Sequence, residues 1–127
     1  MPVTIHTITR YTVQVLTRKT GEDAHSYITV RLYDDDNVNR AVAVFEDFAG
    51  AAPPKPVGDY AKQYVTAHLD IAHYAAYMDI LRLEKQVYLK VGWTQQAKTR
   101  VVSQVSIDTK KEVIGEFFQK TGAAKRR

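Results

Sequence analysis

The hydrophobic and polar residues change rhythm twice between residues 62 and 93, which predicts a strand, a helix and a second strand in one unbroken run. Over residues 62–69, Val65, Ala67 and Leu69 alternate with Tyr64, Thr66 and His68. A period of two describes a half-buried strand. Asp70 stands where an N-cap is needed, and its carboxylate can accept a free backbone N–H there. From Ile71 the period lengthens. Ile71, Tyr74, Ala75, Met78 and Leu81 share one helical face, with Arg82 and Lys85 near the C-terminus, where cations suit the helix dipole. Val87, Leu89, Val91 and Trp93 then restore the period of two.

Upstream, residues 3–16 alternate at length. Val3, Ile5, Tyr11, Val13 and Val15 are expected on one side, with Thr4, His6, Arg10, Thr12 and Gln14 mostly on the other. Thr20-Gly21-Glu22-Asp23 is turn chemistry and predicts a hairpin. A second strand over residues 26–33 would bury Ile28, Val30 and Leu32. Asp34-Asp35-Asp36-Asn37 makes the next turn, because short Asx side chains bond locally and tolerate the left-handed region. Residues 40–45 form a third strand of small and branched residues, suited to burial on both faces. Residues 49–58 carry prolines at Pro53, Pro54 and Pro56, which cannot feed a ladder, and read as an extended loop.

After the central run, residues 94–98 read as a polar turn and residues 99–107 as a sixth strand with Val101, Val105 and Ile107 inward. Residues 109–120 fit two readings. Thr109-Lys110-Lys111-Glu112 is a capping-box pattern before a short helix, or Glu112 to Phe118 is a last strand. The expected fold is α+β: an antiparallel, twisted sheet of about six or seven strands with one main amphipathic helix packed on one face. Residues 1–120 would form a single domain and residues 121–127 a basic, flexible tail.

Composition narrows the chemistry. At 127 residues the chain suits one domain with a proper core, and 45% hydrophobic with 25% charged residues fits a soluble globular protein. No apolar run approaches the ~20 residues of a membrane span, and the N-terminal residues show no signal-peptide pattern. The chain has no cysteine, which removes disulfides, thiol catalysis and cysteine-ligated metals. A cytoplasmic location without membrane contact is expected. The formal net charge of +4 permits an acidic partner without demanding one.

Two short stretches carry a resemblance. Residues 81–89, LRLEKQVYL, and residues 112–116, EVIGE, resemble a group of small bacterial proteins with LRNEKPVYL-like and EPVGE-like motifs. Leu83, Gln86 and Ile114 depart from those motifs. The resemblance implies no activity and no functional residues. The group's proline after the acidic residue disfavours a helix, which tips residues 112–118 towards a strand.

Catalytic and cofactor signatures are missing. His68 and His73 are five apart and straddle the strand–helix junction, whereas paired helical zinc ligands need a spacing of three or four. Asp34, Asp36 and Asn37 begin like a calcium loop, but Val38, Asn39 and Phe45 occupy positions where it needs an oxygen ligand, glycine and glutamate. Glu84, Glu112 and Glu116 could act as acid and base, yet nothing in the pattern gathers them in one cleft. Pro53 to Pro56 has the spacing of a proline-rich ligand and also of an ordinary loop. The glycines form no phosphate-binding fingerprint. A non-enzyme without a cofactor is expected.

The outer side of the sheet remains. Alternation places Tyr27, Arg31, Tyr33, Tyr64, His68, Tyr88, Lys90 and Arg100 there. Aromatics interleaved with cations are what single-stranded nucleic-acid binders present on sheets. Tyrosine also favours strands for its own sake, and cations protect a solvated sheet. The chain is therefore expected to be a non-catalytic interaction or structural module, a homo-oligomer paired through this face. Single-stranded nucleic-acid binding is the alternative.

Overall fold

The computed structural model describes residues 2–20, 23–56 and 60–109. The six strands are β1 (Val3–Thr20), β2 (Asp23–Asp34), β3 (Asn39–Glu46), β4 (Val65–Asp70), β5 (Val87–Gln96) and β6 (Thr99–Asp108). The helix α1 (Tyr74–Leu83) joins β4 to β5, and one-turn 3-10 helices at Tyr60–Lys62 and Ile71–His73 flank β4. The earlier alternatives for residues 109–120 and the basic tail fall on residues outside those described, apart from Thr109. No helix among the described residues is long and apolar enough to cross a membrane.

The α+β reading stands, but the sheet is mixed and nearly closed rather than simply antiparallel. Its order is β4-β3-β2-β1-β5-β6. β4 runs parallel to β3, with Ala41 opposite Val65 and Phe45 opposite Leu69. A parallel pair needs a crossover, and the proline-bearing loop with the Tyr60–Lys62 turn supplies it. The sheet curls until β6 meets that turn, so its two end strands approach each other as in a barrel.

β1 makes the curl possible by serving two neighbours. Residues Val3 to Ile8 pair with β5, and Ile8 to Thr20 pair with β2. Thr9 is an extra residue between the two ladders, a β-bulge. It reverses the alternation. Before the bulge His6 and Ile8 stand opposite the buried Leu89 and Val87, so Val3 and Ile5 face outward. After it Tyr11 and Val13 stand opposite Leu32 and Val30, on the inner face. The expectation of one uninterrupted apolar side therefore fails at Thr9, since a one-residue slip moves every later side chain to the other face. A second bulge, at Ser103, does the same in β6. Val102, opposite Trp93, is buried instead of Val101.

Val30, Leu32, Phe45, Val65, Leu89 and Val91 are completely or almost completely buried and form the barrel's core with Tyr60. Met78 and Leu81 of α1 enter it, and Phe45 meets the rings of Tyr74 and Tyr77 edge-on, with centroids 5.4 and 5.1 Å away. Ile71, by contrast, is exposed. It lies in the 3-10 turn, which advances more degrees per residue than an α-helix and shifts its phase away from the helix stripe. The buried face is centred on Tyr77, Met78 and Leu81.

Asp70 is a cap, but of that 3-10 turn. Its carboxylate accepts the N–H of Ala72 at 3.0 Å and that of Phe48 at 3.3 Å. These bonds, the Ala72 one foremost, hold its pKa below the usual carboxylate value despite some desolvation.

Leu81→Ala is expected to cost ~2–5 kcal/mol in urea denaturation, while Asp79→Ala, on the exposed side, changes little. Asp70→Ala lowers the denaturation midpoint, whereas Asp70→Ser or Asn, which keep an acceptor, largely preserve it.

Candidate nucleic-acid interface

The outer face is built by the register of the β1–β2 hairpin. Thr20 pairs with Asp23, so the ladder sets Arg10 opposite Tyr33, Thr12 opposite Arg31 and Gln14 opposite Thr29. The guanidinium of Arg10 lies over the Tyr33 ring, 3.8 Å from its centroid, and donates from Nε to Asn37 Oδ1 at 3.0 Å. Arg31 Nη1 reaches Gln14 Oε1 and Thr29 Oγ1, both at 3.5 Å. Tyr27 continues the same row towards the hairpin end, with its ring tilted against that of His25.

Among the described residues no carboxylate contacts Arg10 or Arg31, and Glu46 lies 4.0 Å from His25 at the far end of the row. Arg40, Arg82 and Lys90 each contact a carboxylate, at 2.6, 3.0 and 3.0 Å. Arg10 and Arg31 are held instead by neutral oxygens. A guanidinium oriented by amide and hydroxyl groups keeps its full charge for an incoming anion.

The adjoining β2–β3 turn fixes the patch. The Asp34 carboxylate accepts the N–H groups of Asp36 and Val38 at 3.0 and 2.9 Å and Arg40 Nε at 2.6 Å. Its backbone carbonyl accepts Thr9 Oγ1. Burial raises the Asp34 carboxyl, but the Val38 N–H, the hydrogen bond and charge of Arg40 and the Asp36 N–H together outweigh it and leave the pKa below the usual value. Asp34, Asp35 and Asp36 can bring oxygens within 4.8 Å of one another. Asp34 is already spent on backbone and arginine, so the trio serves as a turn.

The curl scatters the residues that alternation had grouped. Tyr27, Arg31 and Tyr33 stay together. Arg10 joins them, although sequence reasoning did not select it; counting back from the Thr20–Asp23 turn would have placed it opposite Tyr33. Tyr64 is exposed just before β4, and His68 faces outward on β4, two strands away from β2. Tyr88 and Lys90 do point outward on β5 but are only 9% and 5% exposed. The Tyr88 hydroxyl donates to Gln86 Oε1 and Lys90 Nζ to Asp108 Oδ2. Arg100 leaves the group. It pairs with Gln95 and covers Trp93, 4.6 Å from the ring centroid, on the face that carries the buried Val102.

Two further places hold polar groups. Inside the barrel, His6 Nε2 and the Tyr60 hydroxyl are 2.6 Å apart. Burial, reinforced by Arg40, lowers the His6 pKa, and burial pushes the Tyr60 phenol up to about 12. The imidazole and the phenol share one hydrogen bond, whose direction the imidazole tautomer sets. Along the seam between β4 and β6, a cleft of about 490 Å³ is bordered by His68, His73, Tyr77, Ile80, Val105 and Ile107. His68 Nδ1 is buried without a hydrogen bond among the described residues, and burial raises the Tyr77 pKa. Among the described residues the two histidines belong to no metal-ligating group.

The chain matches no family model, no curated protein and no solved structure.

The His6 pKa sets a pH dependence. Below 6.5, its ordinary value, the unfolded chain takes up a proton that the folded chain resists, so stability falls as pH drops through the interval down to the lowered pKa. The contribution of Asp34 is complete above 3.8 and is lost below it, as the pH falls through its own depressed value. Urea midpoints measured across this range should fall on acidification below 6.5. The variant His6→Gln, which retains a hydrogen-bonding partner for Tyr60, flattens that first slope only.

Proposed function

We propose that the protein is a non-catalytic binding module that holds single-stranded nucleic acid on the outer face of β1 and β2. The observation that carries this reading is the stack of Arg10 on Tyr33 beside Arg31, with neither guanidinium paired to a carboxylate among the described residues. A base can stack on the outer plane of such a guanidinium or on a neighbouring tyrosine, while the second arginine meets a phosphate. Stacking of this kind is tolerant of sequence, because every base has a π-face.

Fold analogy points the same way. Small partly open barrels that hold oligonucleotides use the face of their second and third strands and the adjoining loops. Here β2 brings the aromatic and cationic row, and β3 lies beside it with Val42 and Val44 on the same face. The reading narrows the broader expectation of an interaction module. It drops Tyr88, Lys90 and Arg100 from the contact surface and adds Arg10.

Anisotropy titrations of a labelled single-stranded oligonucleotide test the proposal. Log affinity should fall linearly with log salt, with a slope near about −0.7 per phosphate contacted. Tyr33→Ala is expected to weaken binding by ~1–3 kcal/mol through lost stacking. Arg31→Ala should reduce the salt slope by about one contact's share. Arg100→Ala, on the other face, should leave affinity unchanged. Absence of binding at low salt overturns the reading. If Tyr33→Ala instead splits an oligomer, the face is a seam between copies.

A further inference from the structure

β1 outruns both of its neighbours. Its pairing with β5 ends at Ile8, so beyond the Thr9 bulge one edge of the strand has no partner among the described residues. β3 pairs with β2 only from Ile28 onward, so β2 from Asp23 to Tyr27 has β1 as its sole ladder partner among the described residues, with His25 Nε2 4.0 Å from Glu46 Oε2 of β3. By its ladders the end of the hairpin is thus two-stranded among the described residues. Such a ribbon is marginal in water until a third strand joins it.

The free edge lacks the usual protection. Natural edges are blunted by charge, proline, bulges or brevity. Tyr11 to Thr17, YTVQVLT, contains no charged residue and no proline, and its bulge lies before it. Val13 is 42% exposed and Val15 67%, so the described residues leave the segment open. Both belong to the inner face, where Val13 stands opposite Val30 and Val15 opposite Ile28.

We propose that this edge pairs with the same edge of a second copy, antiparallel about a two-fold axis, to make one sheet continuous through both molecules. The segment complements itself. With Val13 opposite Val13 of the second copy, Tyr11 meets Val15 and Thr12 meets Gln14. Apolar residues then stand opposite apolar ones on one face, in the aromatic–β-branched pairs that stabilise sheets. The absence of charge within the segment lets two copies approach despite a net charge of +4 on each. An isologous two-fold contact closes on itself, so the dimer uses up this edge of β1 in both copies. The inference stands apart from the nucleic-acid reading. If both hold, the Arg10–Tyr33 patches of the two copies lie on one face and lengthen the track.

Sedimentation velocity over a range of micromolar concentrations, without nucleic acid, is expected to show a dimer. Val15→Lys should weaken dimerisation by roughly tenfold or more, since it sets charges against an apolar strip, while the urea midpoint of the monomer is preserved. A chain without cysteine also permits a clean cross-linking test. Val13→Cys should form a disulfide between copies on mild oxidation. Val38→Cys, equally exposed but on the β2–β3 turn, should not. A monomer throughout the range overturns the proposal. So does a dimer that withstands Val15→Lys but splits with Tyr33→Ala, which would move the seam to the tyrosine face. Equal cross-linking at both positions also overturns it.

Discussion

Much of the architecture converges on Asp34. One residue receives the side chain of the β1 bulge, closes the β2–β3 turn on both carboxylate and carbonyl, and anchors Arg40. Arg40 is itself the extra residue where β3 slips against β2, between the pairs Leu32–Ala41 and Tyr33–Asn39. Two bulges on two strands are thus tied to one residue, Thr9 through the Asp34 backbone carbonyl and Arg40 through the Asp34 carboxylate. Bulges bend and twist a sheet, and this pair lies where the flat β1–β2–β3 ribbon must begin to curl. Asp34 follows the inner-face parity of Leu32 and Val30, which explains its burial at the rim and why it needs so many donors.

The same arrangement separates charges by task. Cations that meet carboxylates, Arg40 above all, hold the turn and the strand ends in place. Arg10 and Arg31 are positioned by neutral groups, so geometry is fixed without discharging them. A surface built this way has orientation and potential together, the combination that recognition of a polyanion requires.

Much of this was legible in the residues, and the rest was not for physical reasons. The strand–helix–strand run from Val65 to Gln96 announces itself because its periods differ and Asp70 marks the boundary. The hairpin and the Asx turn carry their own chemistry. Parallel pairing of β3 with β4 has no local signature, since it depends on where a crossover lands. Bulges are equally silent: Thr9 and Ser103 look like ordinary strand residues, yet each reverses the alternation after it. That is why Val3 and Ile5 were assigned to the wrong side and Arg100 to the wrong face. The β5–β6 hairpin was legible only as a polar turn over residues 94–98 followed by a strand from Thr99. Its two-residue loop carries Ala97 at φ 55° rather than glycine or asparagine, so the residues within that stretch did not say which two make the turn. Of the proposed patch, Tyr27, Arg31 and Tyr33 follow from strand parity alone. Arg10 required the hairpin register.

The division of β1 between two ladders has a mechanical consequence. A load applied to the two-stranded ribbon, by a bound polymer or a second molecule, travels along β1 into its pairing with β5. That ladder runs along the direction of pull, so the bonds from Val3 to Ile8 share the force in shear and do not open one after another from an end. The ribbon is anchored to the barrel as a lap joint and not as a zip.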